Sequence, residues 1–330
     1  MSKLRLALMN LAAGTMLGVL APHVCAAQTA NAQPATHPYL TIEQLRARYR
    51  DPASHFITVK GADIHYKDEG PRGAPVLFMV HGSVSTLGTW DVVAERLKSR
   101  YRIIRYDIPG YGLSGAVSDA VAKSVEPVDL AIGLLEALHV NKVTFIGVSS
   151  GGTMGMYLAA KRPDMVERLI LSNTPSDPVT YDHLVMPKAF LDAQARAKAA
   201  HGFQDRDFWD QYLTYFAGDP KRISKATRDK YYDYNRRTPE KYPVAMVARI
   251  GDGKQAAIDM AKVTAPTFLI WGGADPLLPE AAANAITRYL SHATISRVIM
   301  PEVGHYPPLE VGDRFAQLVA AYIEAATPKL

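Results

Sequence analysis

The most informative stretch of the 330-residue chain is Val143-Thr144-Phe145-Ile146-Gly147-Val148-Ser149-Ser150-Gly151. An apolar run typical of a buried strand leads into a Gly-x-Ser-x-Gly sequence, and an apolar helical pattern follows it. This context predicts a sharp strand-to-helix turn whose serine projects above a sheet. A side chain two positions before or after the serine would collide with so tight a turn, so both positions need glycine. Ser149 has both glycines, whereas Ser150 has Val148 two positions before it, and Ser149 is therefore the predicted nucleophile.

The predicted base for Ser149 is His305. A serine hydroxyl is a weak nucleophile unless a base accepts its proton, and that base needs a partner that fixes its tautomer. Most other histidines fall in the N-terminal segments, the first hairpin or the helical insertion described below. His305 instead follows the last predicted strand, on a loop that reads Val303-Gly304-His305-Tyr306-Pro307.

Asp275 is the predicted partner of His305. It lies directly after the apolar run Thr267–Trp271, so we expect it at the end of a strand. An Asp-Pro pair in a glycine-rich loop also fits a turn that begins the next helix. Asp177, which follows the apolar run Leu169–Leu171, is the alternative acid.

A third element is a place for a developing oxyanion. His81-Gly82-Ser83 follows the apolar run Val76–Val80. Gly82 lets the backbone come close, so the N–H of Ser83 can point at the developing charge beside the N–H of Ser150. Two roles are open for the Ser83 hydroxyl: it donates a further hydrogen bond to the oxyanion, or it forms a hydrogen bond within the turn. We interpret His81 as a structural residue that braces this loop.

Strand and helix patterns alternate along most of the chain. Short runs on either side of Gly61 predict a hairpin. Predicted buried strands follow at Val76–Val80, Ile103–Ile104, Val143–Ile146, Leu169–Leu171, Thr267–Trp271 and Ile295–Met300. Continuous apolar runs are typical of strands covered on both faces. The pattern predicts an α/β protein with a mostly parallel, doubly wound sheet, built from residues 55–175 and 263–330.

The alternation of strands and helices is interrupted at residues 176–262, which predict a helical cap inserted between two strands. The segment has no clear buried strand and holds 12 of the 29 aromatic residues. Most of these aromatics are expected to pack the cap against the core. Three at helical spacing are candidates for binding substrate: Trp209, Tyr212 and Phe216.

Residues 1–27 predict a secretory signal peptide. Lys3 and Arg5 precede the apolar stretch Leu6–Leu20, and small residues at Ala26 and Ala27 suit cleavage. An uncleaved membrane anchor is the alternative. Cleavage leaves a protein without stable membrane insertion, exported to the periplasm or secreted, and removes Cys25, the only cysteine, so disulfides are excluded.

Residues 28–54 predict a linker followed by a short helix. The stretch 28–38 is rich in Ala, Gln, Pro and Thr. Thr41 and Gln44 then form a capping-box pattern that starts a helix through Tyr49.

Composition excludes several classes of function. Hydrophobic residues make up 48% of the chain, as in a globular protein with a buried core. The formal net charge of +5 is spread out, with no basic stripe of interleaved aromatics, so nucleic acid is not an expected partner. We predict no metal and no organic cofactor, because the sequence has neither a ligand-spaced His/Asp cluster nor a phosphate-binding glycine loop. The expected partner is a small-molecule substrate, and the sequence gives no oligomeric state.

Taken together, these residues resemble the α/β-hydrolase superfamily, in its cap-bearing serine hydrolase branch of esterases and lactonases. The resemblance runs from about His55 to the C-terminus and rests on five features: His81-Gly82-Ser83, the loop Asp107–Ser114, the turn at Ser149, Asp275 and His305. It implies an α/β-hydrolase fold with the chain order Ser, Asp, His. Dehalogenases and epoxide hydrolases of this superfamily carry aspartate at the nucleophile position, so the serine argues against both activities. The cap matches no subfamily, so the resemblance implies no substrate.

The leading functional hypothesis is hydrolysis of a small or medium apolar carboxylic ester or lactone through an acyl-enzyme. Carbon–carbon bond hydrolysis, thioester hydrolysis and cofactor-free perhydrolysis would use the same three residues. A non-catalytic ligand receptor on a hydrolase scaffold is the alternative of a different class. Such receptors usually lose a member of the triad, and this chain retains all three.

Overall fold

The computed structural model describes residues 38–240, 248–251 and 253–325. Its strands are β1 His55–Val59, β2 Ala62–Glu69, β3 Val76–Val80, β4 Arg102–Tyr106, β5 Val143–Val148, β6 Val166–Ser172, β7 Thr267–Gly272 and β8 Ile295–Met300. They form one eight-stranded sheet in the order β1-β2-β4-β3-β5-β6-β7-β8. β2 pairs antiparallel with both β1 and β4, and every other neighbouring pair is parallel. The predicted α/β fold with a mostly parallel sheet is confirmed.

Helices flank the sheet and connect its strands. They are α1 Ile42–Tyr49, α2 Asp91–Leu97, α3 Asp119–Ser124, α4 Pro127–Ala137, α5 Ser150–Lys161, α6 Lys188–Ala199, α7 Arg206–Phe216, α8 Lys225–Asn235, α9 Lys254–Asp259, α10 Glu280–Tyr289, α11 Pro307–Glu310 and α12 Gly312–Ala325. Helix α3 is six residues long and was not foreseen, because so short a segment shows no helical periodicity.

The central strands are buried on both faces. All six residues of β5 and all six of β7 are buried. Alternate side chains of β3 enter different apolar clusters, with Phe78 and Val80 in one and Leu77 and Met79 in the other. The sheet therefore has a core on each side, which is why continuous apolar runs marked these strands in the sequence.

Helices α6 to α9 lie between β6 and β7 in the chain, within residues 176–262, and none of the eight strands comes from that segment. Helix α7 has the strongest apolar face among them, with five buried side chains: Phe208, Trp209, Tyr212, Leu213 and Phe216. Asp205 caps this helix by accepting the N–H of Phe208 at 2.7 Å. We call residues 176–262 the cap.

Helix α1 begins with the predicted capping box. Thr41 Oγ1 accepts the Gln44 N–H at 3.3 Å, and Gln44 Oε1 accepts the Thr41 N–H at 2.9 Å. Reciprocal bonds of this kind satisfy two backbone donors that the first helical turn leaves free.

Residues 38–50, called the N-terminal arm below, bind to the cap. The Leu40 N–H donates to the Arg236 carbonyl at 2.8 Å, and the Thr238 N–H donates to the Leu40 carbonyl at 2.9 Å. The Tyr49 hydroxyl donates to Asp233 Oδ2 at 2.6 Å. The short helix of the arm is thus held by the cap, and Arg46 also binds it to the core by donating to Asp63 Oδ2 at 2.5 Å and to the Leu113 carbonyl at 3.0 Å.

The predicted signal peptide and nearly all of the linker preceding the arm lie outside the described residues. Across 38–240, 248–251 and 253–325, no helix combines the length and apolarity needed to span a bilayer.

Candidate active site

Ser149 stands at the turn from β5 into α5 in a strained backbone conformation. Its φ is +53° and its ψ is −131°, values that residues with a side chain rarely adopt. The Ser149 N–H donates to the Ser172 carbonyl at 2.9 Å, which holds the turn against the end of β6. A Cβ at Gly147 would lie 2.5 Å from the Gly151 carbonyl oxygen, and a Cβ at Gly151 would collide with the Val80 carbonyl at the end of β3. Both glycines are needed because backbone passes directly beside them.

The structure brings the three predicted catalytic residues together. His305 Nε2 lies 3.1 Å from Ser149 Oγ, and His305 Nδ1 lies 2.6 Å from Asp275 Oδ2. The three residues follow β5, β7 and β8, whose carboxyl ends meet at one edge of the sheet. The side chains of His305 and Asp275 are only 2% and 0% exposed. An Nδ1–H that donates to the carboxylate leaves Nε2 free to accept the serine proton.

Asn173, which the sequence interpretation missed, supports Asp275. Asn173 Nδ2 donates to Asp275 Oδ2 at 2.8 Å, and the Leu277 N–H donates to the other carboxylate oxygen at 2.8 Å. The Asn173 amide oxygen accepts the Gly272 N–H at 2.8 Å, so this side chain joins the ends of β6 and β7. Asn173 is fully buried with φ +39°, a conformation that asparagine tolerates better than most residues. A polar residue directly after an apolar strand was the signal that could have found it.

Ser83 and Ser150 lie next to each other beside the nucleophile. Their hydroxyl oxygens are 3.0 Å apart. The backbone at Gly82 comes so close that a Cβ there would lie 2.8 Å from the Ser149 Cβ. Ser150 is the first residue of α5, where N–H groups have no partner within the helix. The backbone of both predicted oxyanion residues is therefore close to the Ser149 side chain.

His81 braces the loop that carries Ser83. The backbone N–H of Ile108 donates to His81 Nε2 at 3.0 Å, so the ring proton is on Nδ1, which donates to the Gly82 carbonyl at 2.7 Å. Burial lowers the pKa of His81 and keeps the ring neutral, although Asp107 and the Gly82 carbonyl favour its charged form. This geometry fits the predicted structural role.

Asp107 organises the neighbouring loop. Its carboxylate accepts the Leu87 N–H at 2.7 Å, the Leu113 N–H at 2.8 Å and a bond from His65 Nδ1 at 2.7 Å. Burial favours a raised pKa for Asp107, but the bonds from His65 and Leu113 outweigh it and hold the pKa below its usual range. The carboxylate therefore stays charged, and its role is to position backbone.

The alternative acid, Asp177, lies away from the histidine. It accepts a hydrogen bond from the Tyr289 hydroxyl at 3.0 Å. Asp275 holds the position beside His305 that Asp177 would have needed.

The loop that carries His305 is fastened to the end of helix α7. The His305 N–H donates to the Phe216 carbonyl at 2.8 Å. A Cβ at Gly304 would collide with that same carbonyl, so only glycine allows this approach. The Phe216 ring also packs 5.7 Å from the His305 ring, centroid to centroid.

Glu310, a second residue that the sequence interpretation missed, reinforces this junction. Its side chain is 1% exposed and accepts four hydrogen bonds. Oε2 accepts the N–H groups of Gly304 at 3.0 Å and Gly218 at 2.9 Å. Oε1 accepts the Asp219 N–H at 3.1 Å and Arg222 Nη1 at 2.8 Å. One buried carboxylate thus joins the histidine loop to the cap.

The three cap aromatics proposed for substrate binding lie at different distances from the triad. Phe216 contacts His305 directly. The Tyr212 hydroxyl is 2.8 Å from the hydroxyl of Tyr306, the residue that follows the histidine. Trp209 packs one layer further out, 5.4 Å from the Tyr212 ring. Burial raises the pKa of Tyr212 and Tyr306 well above the usual value, so both hydroxyls stay protonated.

Within the described ranges, no group of three or more His, Cys, Asp or Glu side chains is arranged to hold a metal ion.

Comparison with known proteins agrees with the α/β fold. A family model described as alpha/beta hydrolase fold matches residues 75–310. The chain is 25% identical to the 2-hydroxymuconate semialdehyde hydrolase of Pseudomonas sp. (strain CF600), over 82% of this chain and 93% of that protein. It is 26% identical to the pimeloyl-[acyl-carrier protein] methyl ester esterase of Nitrosomonas europaea, over 77% of this chain and 97% of that protein.

A solved structure with a similar fold is the enol-lactonase from Burkholderia xenovorans LB400. The TM-score is 0.64 at 20% sequence identity, and the match covers 82% of this chain and all of the other.

Proposed function

The chain belongs to the α/β hydrolase fold family and is a hydrolase, and we propose that it cleaves a small or medium carboxylic ester or lactone through an acyl-enzyme on Ser149. The observation that carries this proposal is the continuous path from Ser149 Oγ through His305 to Asp275, with separations of 3.1 and 2.6 Å. The relationship to a methyl ester esterase supports it further.

In the proposed reaction, Ser149 Oγ attacks the carbonyl carbon while His305 Nε2 takes its proton. Asp275 keeps the ring in the required tautomer and stabilises the imidazolium that forms. The imidazolium then protonates the leaving alkoxide, and the acyl group stays on Ser149. A water molecule, deprotonated by the same nitrogen, then attacks the acyl carbon. The bond from this carbon to Ser149 Oγ breaks, the imidazolium returns its proton to that oxygen, and the acid leaves.

The tetrahedral intermediate carries a negative oxygen that needs donors fixed in advance. We assign this role to the backbone N–H groups of Ser83 and Ser150. Backbone donors of this kind contribute because they are already oriented when the charge develops, and losing one such donor typically costs ~10²–10³ in kcat.

The test is hydrolysis of p-nitrophenyl acetate and butyrate, followed by a panel of aliphatic lactones. Ser149→Ala should abolish turnover and labelling by a fluorophosphonate probe. Asp275→Asn should lower kcat by about 10⁴-fold, the effect typical of a lost orienting carboxylate. Asp177→Asn is the matched control and should keep the wild-type rate. Full activity in Ser149→Ala, or no turnover of any ester or lactone by the wild type, would overturn the proposal.

Carbon–carbon bond hydrolysis is a second candidate, favoured by the relationship to a 2-hydroxymuconate semialdehyde hydrolase. The same three residues would serve it. Measuring kcat/KM for 2-hydroxymuconate semialdehyde beside p-nitrophenyl butyrate separates the two. A value for the semialdehyde that exceeds the ester value by a hundredfold or more would favour the second candidate.

We also propose that the protein is exported. The basic residues, the apolar stretch and the small residues within positions 1–27 support this. N-terminal sequencing of protein from the periplasmic fraction should find a chain that begins close to residue 27 or 28. A full-length chain in the membrane fraction would support the anchor instead.

A further inference from the structure

The side chains of Ser83 and Ser150 form a pair of hydroxyl groups beside the nucleophile. Ser83 follows β3 and Ser150 follows β5, and these two strands are parallel neighbours in the sheet. The two hydroxyl oxygens are 3.0 Å apart. A Cβ at Gly82 would lie only 3.4 Å from Ser149 Oγ. The segment that carries Ser83 therefore passes directly beside the side chain that attacks the substrate.

This pair of hydroxyls has one proton more than it uses. Each serine carries one O–H, and a single hydrogen bond between the two oxygens takes up one of the two protons. Among the described residues, neither hydroxyl has a hydrogen-bond partner other than the opposite one. One proton of the pair is therefore free to bind a group that is not part of the fold.

The burial of the two serines decides which proton is free. Ser150 is 2% exposed, so a free proton on its hydroxyl would be a buried donor without an acceptor, which folded proteins avoid. Ser83 is half-buried, as is Ser149. The favoured arrangement is that the Ser150 hydroxyl donates to Ser83 Oγ. The free proton then belongs to Ser83, on the more accessible side of the pair.

We propose that the Ser83 hydroxyl is a catalytic group that donates a third hydrogen bond to the oxyanion, and that the Ser150 hydroxyl is a positioning group that orients it. The inference rests on the proposed ester hydrolysis and adds a donor to the two backbone N–H groups assigned there. A carbonyl oxygen has two lone pairs, whereas the oxygen of the tetrahedral intermediate has three and can accept a third donor. The Ser83 hydroxyl therefore stabilises the transition state more than the bound substrate, and its contribution appears in kcat rather than in KM.

The test measures kcat and KM for p-nitrophenyl butyrate in alanine variants of the pair, because alanine removes a hydroxyl and keeps the backbone N–H. Ser83→Ala should lower kcat by ~10–100-fold with KM nearly unchanged, since two backbone donors remain. Ser150→Ala should lower kcat by only about 2–5-fold, because the Ser83 hydroxyl is kept and loses only the bond that orients it. The double variant should be no slower than Ser83→Ala. Ser83→Thr keeps a hydroxyl and should recover most of the rate.

A trifluoromethyl ketone provides a measurement that does not depend on turnover. Ser149 Oγ adds to its carbonyl carbon and forms an anionic adduct with the shape of the tetrahedral intermediate. The Ki of 1,1,1-trifluoro-2-heptanone should therefore rise in Ser83→Ala by about the factor by which kcat falls. The Ki of 2-heptanone, which binds as the intact ketone, should stay within about twofold of the wild-type value.

Ser85→Ala is the matched control. Ser85 lies two positions further along the same loop, and its hydroxyl oxygen is 2.6 Å from Thr89 Oγ1, so it also belongs to a buried pair of hydroxyls. This variant should keep the wild-type kcat and both Ki values.

The relative size of the two serine effects decides the outcome. Equal losses of kcat in Ser83→Ala and Ser150→Ala would mean that their bond is only a structural link, and a larger loss in Ser150→Ala would place the free proton on Ser150. Either result overturns the inference, as does a Ser83→Ala variant whose kcat or whose Ki for the trifluoromethyl ketone matches the control. Ester hydrolysis by Ser149 would stand in each of these cases. The proposed function itself fails only if the wild type cleaves no ester or lactone or if Ser149→Ala remains active.

Discussion

Replacing Glu310 with glutamine should weaken both the fold and catalysis. In glutamine an NH₂ group replaces one carboxylate oxygen, so a donor faces the two N–H donors whose bonds that oxygen accepted. Two hydrogen bonds to a charged acceptor are lost, and such bonds contribute about 1.5–3 kcal/mol each. The amide oxygen stays with Arg222, whose positive charge attracts it most strongly, so the NH₂ group faces the N–H groups of Gly218 and Gly304. We therefore expect Glu310→Gln to lower the free energy of unfolding by about 3 kcal/mol.

The effect on catalysis follows from the position of the loop. Gly304 loses its bond to Glu310, and the next residue is His305. A misplacement of about 1 Å at a reacting group can cost about 10²-fold in rate, so kcat for p-nitrophenyl butyrate should fall by ~10–100-fold. KM should change little, because no substrate contact is removed.

Glu302→Gln is the matched control for this experiment. Glu302 lies on the same loop but is 47% exposed and pairs with Arg314 at the surface. Exposed ion pairs contribute about 0–1 kcal/mol, so this variant should unfold at nearly the wild-type urea concentration and keep its kcat. The reasoning is refuted if Glu310→Gln matches Glu302→Gln in both measurements.

Three further outcomes are expected. Asn173→Ala should lower kcat by ~10-fold or more with KM unchanged, because Asp275 loses one of its donors; an unchanged kcat would mean that the remaining contacts suffice. Gly151→Ala should destabilise the protein by at least about 3 kcal/mol in urea unfolding, because its Cβ meets backbone, whereas Gly73→Ala, with open space around it, should change stability by no more than about 1 kcal/mol. Burial lowers the pKa of His81 in the folded protein, so the unfolded chain binds a proton at this residue more readily. The contribution of His81 to stability is therefore complete above about pH 6.5 and is lost as the pH falls toward the folded pKa. His81→Asn should flatten the plot of unfolding free energy against pH in that range, and an unchanged slope would contradict the assignment.

Much of the fold could be predicted because it depends on local sequence. A strand covered on both faces needs a continuous apolar run, and β3, β5 and β7 each show one. The turn at Ser149 requires glycine at two fixed positions, and that spacing separates it from Ser150. His305 and Asp275 could be placed because residues that follow parallel strands gather at one edge of the sheet.

The supporting residues were missed because their partners are far away in the chain. Asn173 and Asp275 are 102 positions apart, and Glu310 and Gly218 are 92 apart. A single polar residue after a strand, or one acidic residue in a short helix, has many possible roles. Its role depends on which distant backbone groups the fold brings to it, and periodicity carries no information about that.

The contacts between the N-terminal arm and the cap constrain when the arm can be fixed in place. Leu40 and Thr238 are 198 positions apart, and Tyr49 and Asp233 are 184 apart. The arm is made before its partners on the cap, which do not exist until residue 238 has been made. Contacts between such distant residues form late, because the long intervening chain must be ordered first. The arm can therefore complete its contacts only after residue 238 has been made, although Arg46 can reach Asp63 in β2, only 17 positions away, much earlier.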